Sequence, residues 1–248
     1  MVDSASRVGN VSPVQPQSED PFVRNQVSVG NKQISAMEEL PAGVTINFHP
    51  RSTGNRVLLS ERAQYRAVVV DLSAAVDCRV SIGAVRVRFG GIRVSFVEDD
   101  GHHSTGSFVT LADGSVFNGA THVIGPLTPG MGVSIGRDCL FASGISIRGS
   151  SHHGLWDIAT GTLLNPEAGI EIGDHVWVGD QVVVLNKARI PHGSVVAARS
   201  IVNKQFTEPN SLLAGMPAAV RRTGVAWTLE FPRDNGASPL DGEAAASV

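Results

Sequence analysis

Two histidines stand side by side, His152 and His153, in the polar stretch Gly149-Ser150-Ser151-His152-His153-Gly154-Leu155-Trp156-Asp157. Imidazole ionises near pH 6.5, so histidine is the side chain best suited to take up and return a proton at neutral pH. No serine or cysteine nucleophile motif lies beside the pair, which favours a general base over a covalent intermediate. Cys78 and Cys139 are isolated, without C-x-x-C spacing, and read as free thiols of a reducing compartment. The eight histidines include no pair five residues apart and there is no metal motif, so no metal is expected.

The elements that must hold these groups are short. Aromatic residues are only 5% of the chain while Gly and Val are abundant, which disfavours helical bundles and suits short strands joined by tight turns. Every sixth residue from Ile172 is a branched aliphatic: Ile172, Val178, Val184, Ile190, Val196 and Val202. The residue after each is mostly small or turn-forming, from Gly173 and Gly179 to Ala197 and Asn203. An upstream set, Leu111, Phe117, Val123, Ile135, Phe141 and Ile147, keeps the same period with Pro129 out of pattern. A strand and a turn take about six residues, and three such units close a triangular coil that buries its aliphatic face only by stacking on others. An amphipathic helix would need 3- and 4-residue spacing and a flat strand a period of two. Ile147 and Ile172 are 25 residues apart, one more than four hexads, so residues 149–168 read as an insertion.

The rest of the chain is read from composition. With 42% apolar residues it is expected to be globular, and no apolar run approaches the ~20 residues of a membrane span. The first residues have neither a basic start nor an apolar stretch, so no signal peptide is read and a cytoplasmic location is expected. A net charge of -3 gives no electrostatic case for nucleic acid or an acidic membrane. Residues 1–42 read as a flexible arm and residues 232–248 as a disordered tail, leaving 43–231 for the coil domain. Val- and Arg-rich alternation between Val44 and Phe96 predicts strands with one buried face, and residues 98–106 an exposed loop.

The segment from Ser134 to Pro166, followed by IEIGDHVWVGDQVVVL and SVVAARSIVNKQ…LLAGMPAAVRR, resembles the hexapeptide-repeat O-acetyltransferases. The branch it resembles most modifies capsular and other surface polysaccharides. This resemblance spans roughly residues 105–229, and it implies an all-β, left-handed parallel β-helix using acetyl-CoA as co-substrate. Members carry a D-x-H-x-[IM]-x-D-like stretch in a loop that leaves the coil. Laying Leu155 and Asp157 on its last apolar and acidic positions puts the motif histidine at His153, with His152 as the alternative. The family's first Asp falls on Ser151, a departure that leaves the group orienting the histidine open: Ser151 itself or a backbone carbonyl.

The resemblance also implies the other roles. Trp177, 24 residues beyond His153, would line the acceptor and thioester site, although a packing aromatic at a coil corner is the competing reading. Asn165 would shape the insertion or the acceptor pocket, with a plain turn role equally open. Pantetheine would lie along small turn residues, Gly179, Ala197 and Ala198, with Lys204 and Arg222 for the phosphates; Ala219 replaces a family lysine. A homotrimer with sites between subunits follows from the family. Three alternatives remain: a γ-class carbonic anhydrase, for which the histidine spacing is wrong; N-acetyl transfer to an amino sugar; and a non-catalytic β-helix that acts as scaffold or binding protein.

Overall fold

The computed structural model describes residues 20–73, 75–96, 98–99 and 102–230. The chain winds as a parallel β-helix with three sheet faces. The first face has eight strands, and the second and third have seven each. Its helical elements among the described residues are one turn at Pro21–Arg24 and a 3-10 turn at Met37–Glu39, and no helix is long and apolar enough to cross a membrane.

Each hexad supplies one face in turn. Ile172, Val178 and Val184 sit on the first, second and third faces, and Ile190, Val196 and Val202 stack directly over them. The upstream set joins the same columns: Ile135 lies under Ile172, Phe141 under Val178, and Ile147 under Val184. All of these side chains are buried. Each contributes on the order of 1.5–3 kcal/mol of hydrophobic stabilisation. Phe117 and Phe141 stack within the second column with ring centroids 4.7 Å apart, which fills a wider part of the core. Non-glycine residues with positive φ, among them Asp138, His175, Gln181, Arg199 and Asn210, turn the corners. Short polar or flexible side chains tolerate that conformation better than the β-branched residues of the columns do.

The coil reaches further back than residue 43. Gln26–Val29 pairs in parallel with Arg56–Leu59 and antiparallel with Lys32–Ile34, so the ordered part includes much of the expected arm. Its base is held by buried amides: Asn55 Nδ2 donates to Asn25 Oδ1 (2.8 Å) and to the Ala75 carbonyl (2.8 Å), and Asn55 Oδ1 accepts from Cys78 N–H (2.8 Å). Residues 1–19 and 231–248 lie outside the described part. The strands expected between Val44 and Phe96 are lower coils of the same β-helix, with valines inward and Arg56, Arg79, Arg86 and Arg93 outward. The expected exposed loop at 98–106 instead contains Glu98–Asp99 and His102–Thr105, which pair antiparallel, and the latter adds in parallel to Ala75–Val76. Ser104 there is fully buried, and its carbonyl accepts the Cys78 thiol at 3.2 Å. Residues 100 and 101 are outside the described part. Both cysteines are free and buried.

Candidate active site

The chain leaves the coil after the third-face strand Ile145–Arg148 and rejoins the first face at Ile170–Ile172. Gly149 makes the exit possible: its N–H donates to the Ile124 carbonyl (2.8 Å), and a Cβ there would lie 2.8 Å from that oxygen and 2.9 Å from Pro126. The excursion is a finger. Leu164 N–H donates to Leu155 O (2.7 Å), Asp157 N–H donates to Thr162 O (2.9 Å), and Trp156 bridges to Leu163. Asp157 closes the tip by accepting from Thr160 N (2.8 Å) and Thr160 Oγ1 (3.0 Å). These bonds, the backbone one first, hold its carboxyl below the ordinary Asp range. Leu155, Trp156 and Ile158 are exposed along the finger.

One side chain organises the root of the finger. Asn165 Oδ1 accepts from Leu155 N–H (2.7 Å), while its Nδ2 donates to the His153 carbonyl (2.8 Å) and to Ser151 Oγ (3.0 Å). The residue before the histidines, the second histidine's own backbone and the first finger strand are thus tied to one amide. His152 has φ 64, and its N–H donates to Oγ of buried Ser150 (3.0 Å). At the return, Asn186 accepts Ala168 N–H (2.8 Å) and donates to Pro166 O (3.1 Å).

Under this root lies a pocket of about 180 Å³ whose lining includes Thr128, Ser150, Ser151, His152, His153, Asn165 and Glu167. His152 is half-buried and His153 exposed. The structure therefore gathers His152, His153, Ser151 and Asn165. Glu167, unnoticed in the sequence, supplies a carboxylate to the same pocket, and its Oε2 accepts from Thr128 N–H (2.7 Å).

The remaining candidates lie elsewhere on the coil. Trp177 points outward from the second face, between Leu140 below and Val195 above, and is 40% exposed. Its ring lies 6.1 Å from that of Trp227, tilted by 47°. Trp227 belongs to the terminal segment that runs back along the corner between the first two faces. It stacks on His175 (4.3 Å, 10°), and its Nε1–H donates to the His175 carbonyl (2.9 Å). His175 Nε2 in turn meets the Trp227 carbonyl at 3.1 Å. Trp227 follows the last repeat, so periodicity gave no sign of it; its aromatic type in the stretch VAWTLEF was the available signal.

Gly179, Ala197 and Ala198 form one flat corner beyond the second face. A Cβ on Gly179 would lie 2.7 Å from Ala198 N, so coil stacking itself requires glycine there. Lys204 stands at the following corner with its ammonium 5.3 Å from the Phe206 ring centre, and Arg222 pairs with Leu212 on the last hairpin of the second face. The flat corner thus follows a second-face strand, Lys204 follows a third-face strand, and Arg222 ends the last second-face strand. On the outer third face, Ser95 Oγ lies 3.0 Å from His122 Nε2. Burial first, then Arg93 and Arg148, push the pKa of His122 down.

Hexads wound into a parallel β-helix, interrupted by one finger with histidines at its root, define the class: a hexapeptide-repeat β-helix protein with an inserted-loop site. No family model matches the chain. It is similar to the polysialic acid O-acetyltransferase of Neisseria meningitidis, 28% identical over 149 residues, 57% of this chain and 65% of that one. It is also similar to a putative lipopolysaccharide biosynthesis O-acetyl transferase of Escherichia coli K12, 34% identical over 96 residues, 36% of this chain and 48% of that one. The matched part is thus less than two thirds of either relative. Among solved structures, the polysialic acid O-acetyltransferase OatWY matches 89% of this chain and 96% of its own at 18% identity, TM-score 0.46. The two sequence relatives carry the resemblance read from the residues.

Proposed function

We propose that this chain transfers an acetyl group from acetyl-CoA to a hydroxyl of a sugar or polysaccharide, with His153 as general base. The observation that carries the reading is the finger root, where an inserted segment pinned by Asn165 sets the histidine pair into a pocket. The named relatives supply the acetyl-transfer chemistry. A sugar hydroxyl is barely ionised at neutral pH, so its attack on a thioester needs a base to accept the proton as the bond forms. His153 takes that proton; the new C–O bond forms at the acetyl carbonyl, and the C–S bond breaks. His153 then returns the proton to the departing sulfur, giving free CoA and an O-acetyl ester. Transfer is direct, in a ternary complex. Glu167 is the carboxylate we assign to orienting the histidine pair, in place of the family Asp that Ser151 replaces.

The flat corner at Gly179, Ala197 and Ala198 fits pantetheine, since no side chain there exceeds a methyl group. Lys204 and Arg222 would hold the phosphates. The finger leaves between the third and first faces, whereas Trp177 lies on the second. A site uniting them is therefore best built between subunits, and we assign a homotrimer to this end. We assign the enzyme to the cytoplasm, where acetyl-CoA is available.

The test is donor-dependent release of free thiol across a panel of glycans, with products read by mass spectrometry for added acetyl ester. Acetyl amide products would favour the amino-sugar reading, and absence of any transfer would overturn the proposal.

A further inference from the structure

A second cavity, of about 340 Å³, opens beside the histidine pocket and shares Ser150, Ser151 and Asn165 with it. That volume suits one sugar residue. Its charged lining residues are Arg148 and Lys187, both half-buried, and no carboxylate lines it among the described residues. Arg148 is fixed by strand register between Ile124 and Leu185. Lys187 is fixed by its turn, where its N–H donates to the Gly169 carbonyl at 3.2 Å. Of the neighbouring acids, Glu167 lines the histidine pocket and not this cavity, and Glu171 is paired with Arg189 at 3.3 Å. The positive charge is felt on the coil below, where Arg148 is one of the groups that disfavour protonation of His122.

Among the described residues no carboxylate pairs with either cation, and two half-buried positive charges make a standing attraction for an anion, stronger there than in open water. The guanidinium fork matches a carboxylate in two parallel hydrogen bonds. We propose that this cavity binds the carboxylate of an acidic sugar, so that Arg148 and Lys187 select an anionic acceptor and place its hydroxyl beside the histidine pair. That the sugar is an acceptor rests on the acetyl-transfer reading above; that the cavity binds its carboxylate does not.

The experiment is titration calorimetry of the full chain, without donor, against trisaccharides of uronic and nonulosonic acids and the methyl ester of each. At least one acid is expected to bind about tenfold or more tightly than its ester, as a charge-assisted contact predicts. Arg148→Ala should remove that preference. So should Lys187→Asn, which keeps a residue tolerant of the left-handed turn (φ 71). Both should leave the Kd for acetyl-CoA unchanged, and Arg148→Lys should keep part of the preference. If Arg148→Ala does not fold, Lys187→Asn alone decides. Esters binding as tightly as acids, no acid binding, or variants that weaken acetyl-CoA instead would each overturn the assignment; the last would give the cavity to the donor's phosphates. Acid-selective binding without acetyl transfer to any hydroxyl would sink the acetyl-transfer reading and leave the cavity's role standing.

Discussion

Asn165→Ala is the perturbation that separates the finger root from the coil beneath it. The substitution removes three hydrogen bonds, to Leu155 N–H, the His153 carbonyl and Ser151 Oγ. Because they are solvent-exposed, each is worth the lower part of the usual net range, about 0.5–1 kcal/mol. Together they bias the ordered root by about 1.5–3 kcal/mol, or roughly 10- to 100-fold in its population. The coil core is untouched, so the melting temperature should change little. Thiol release from acetyl-CoA with acceptor should fall by a similar factor, and hydrogen exchange should quicken at Leu155. Asn165→Asp keeps the acceptor for Leu155 N–H and loses both donors, so it should fall between wild type and Ala. An Ala variant within twofold of wild type, with unchanged exchange at Leu155, would refute the reasoning.

Other expectations follow from the same contacts. Burial pushes the Cys78 and Cys139 thiols each up to about 11, above an unfolded value near 8.5, so folding favours the protonated form. That stability is fully present below pH ~8.5 and is lost as pH rises towards 11; denaturant midpoints at pH 8 and 10 should show the decline. At pH 8 a thiol reagent should label neither cysteine until the chain unfolds. Trp227→Ala removes the stack on His175 and the neighbour of Trp177. Tryptophan fluorescence should change, and the KM for the donor should rise more than kcat falls. Phe141→Ala, in the stacked pair with Phe117, should cost about 3–5 kcal/mol by chemical denaturation.

The last coils were legible because three unbroken hexads separate Val184 from Val202, 18 residues apart in register. Lower on the first face, Val57 and Val80 are 23 residues apart and Val80 and Val109 are 29 apart, neither a multiple of six, because turns of varying length intervene. A fixed period cannot find such coils; the Val-Arg alternation shows only that one side is buried. The polar stretch that opens the coil is stabilised by Asn25 and Asn55, whose bonds are made across 30 residues and leave no local pattern. At the site, the histidine pair stood out by type, and Asn165 by its resemblance to a family motif. Its three bonds could not be read, since their partners lie 10, 12 and 14 residues away across a hairpin. Arg148 and Lys187 belong to no motif in the sequence, and their proximity is created by folding the third face against the turn before Ile190.

The central claim is that His153 is the base for acetyl transfer, and the direct measurement compares His153→Ala with His152→Ala for donor-dependent acetylation at saturating acetyl-CoA. Loss of about 10²- to 10⁴-fold in kcat for His153→Ala, with acetyl-CoA binding retained and His152→Ala much less affected, is the predicted result. Full activity in His153→Ala while His152→Ala is inactive would contradict it.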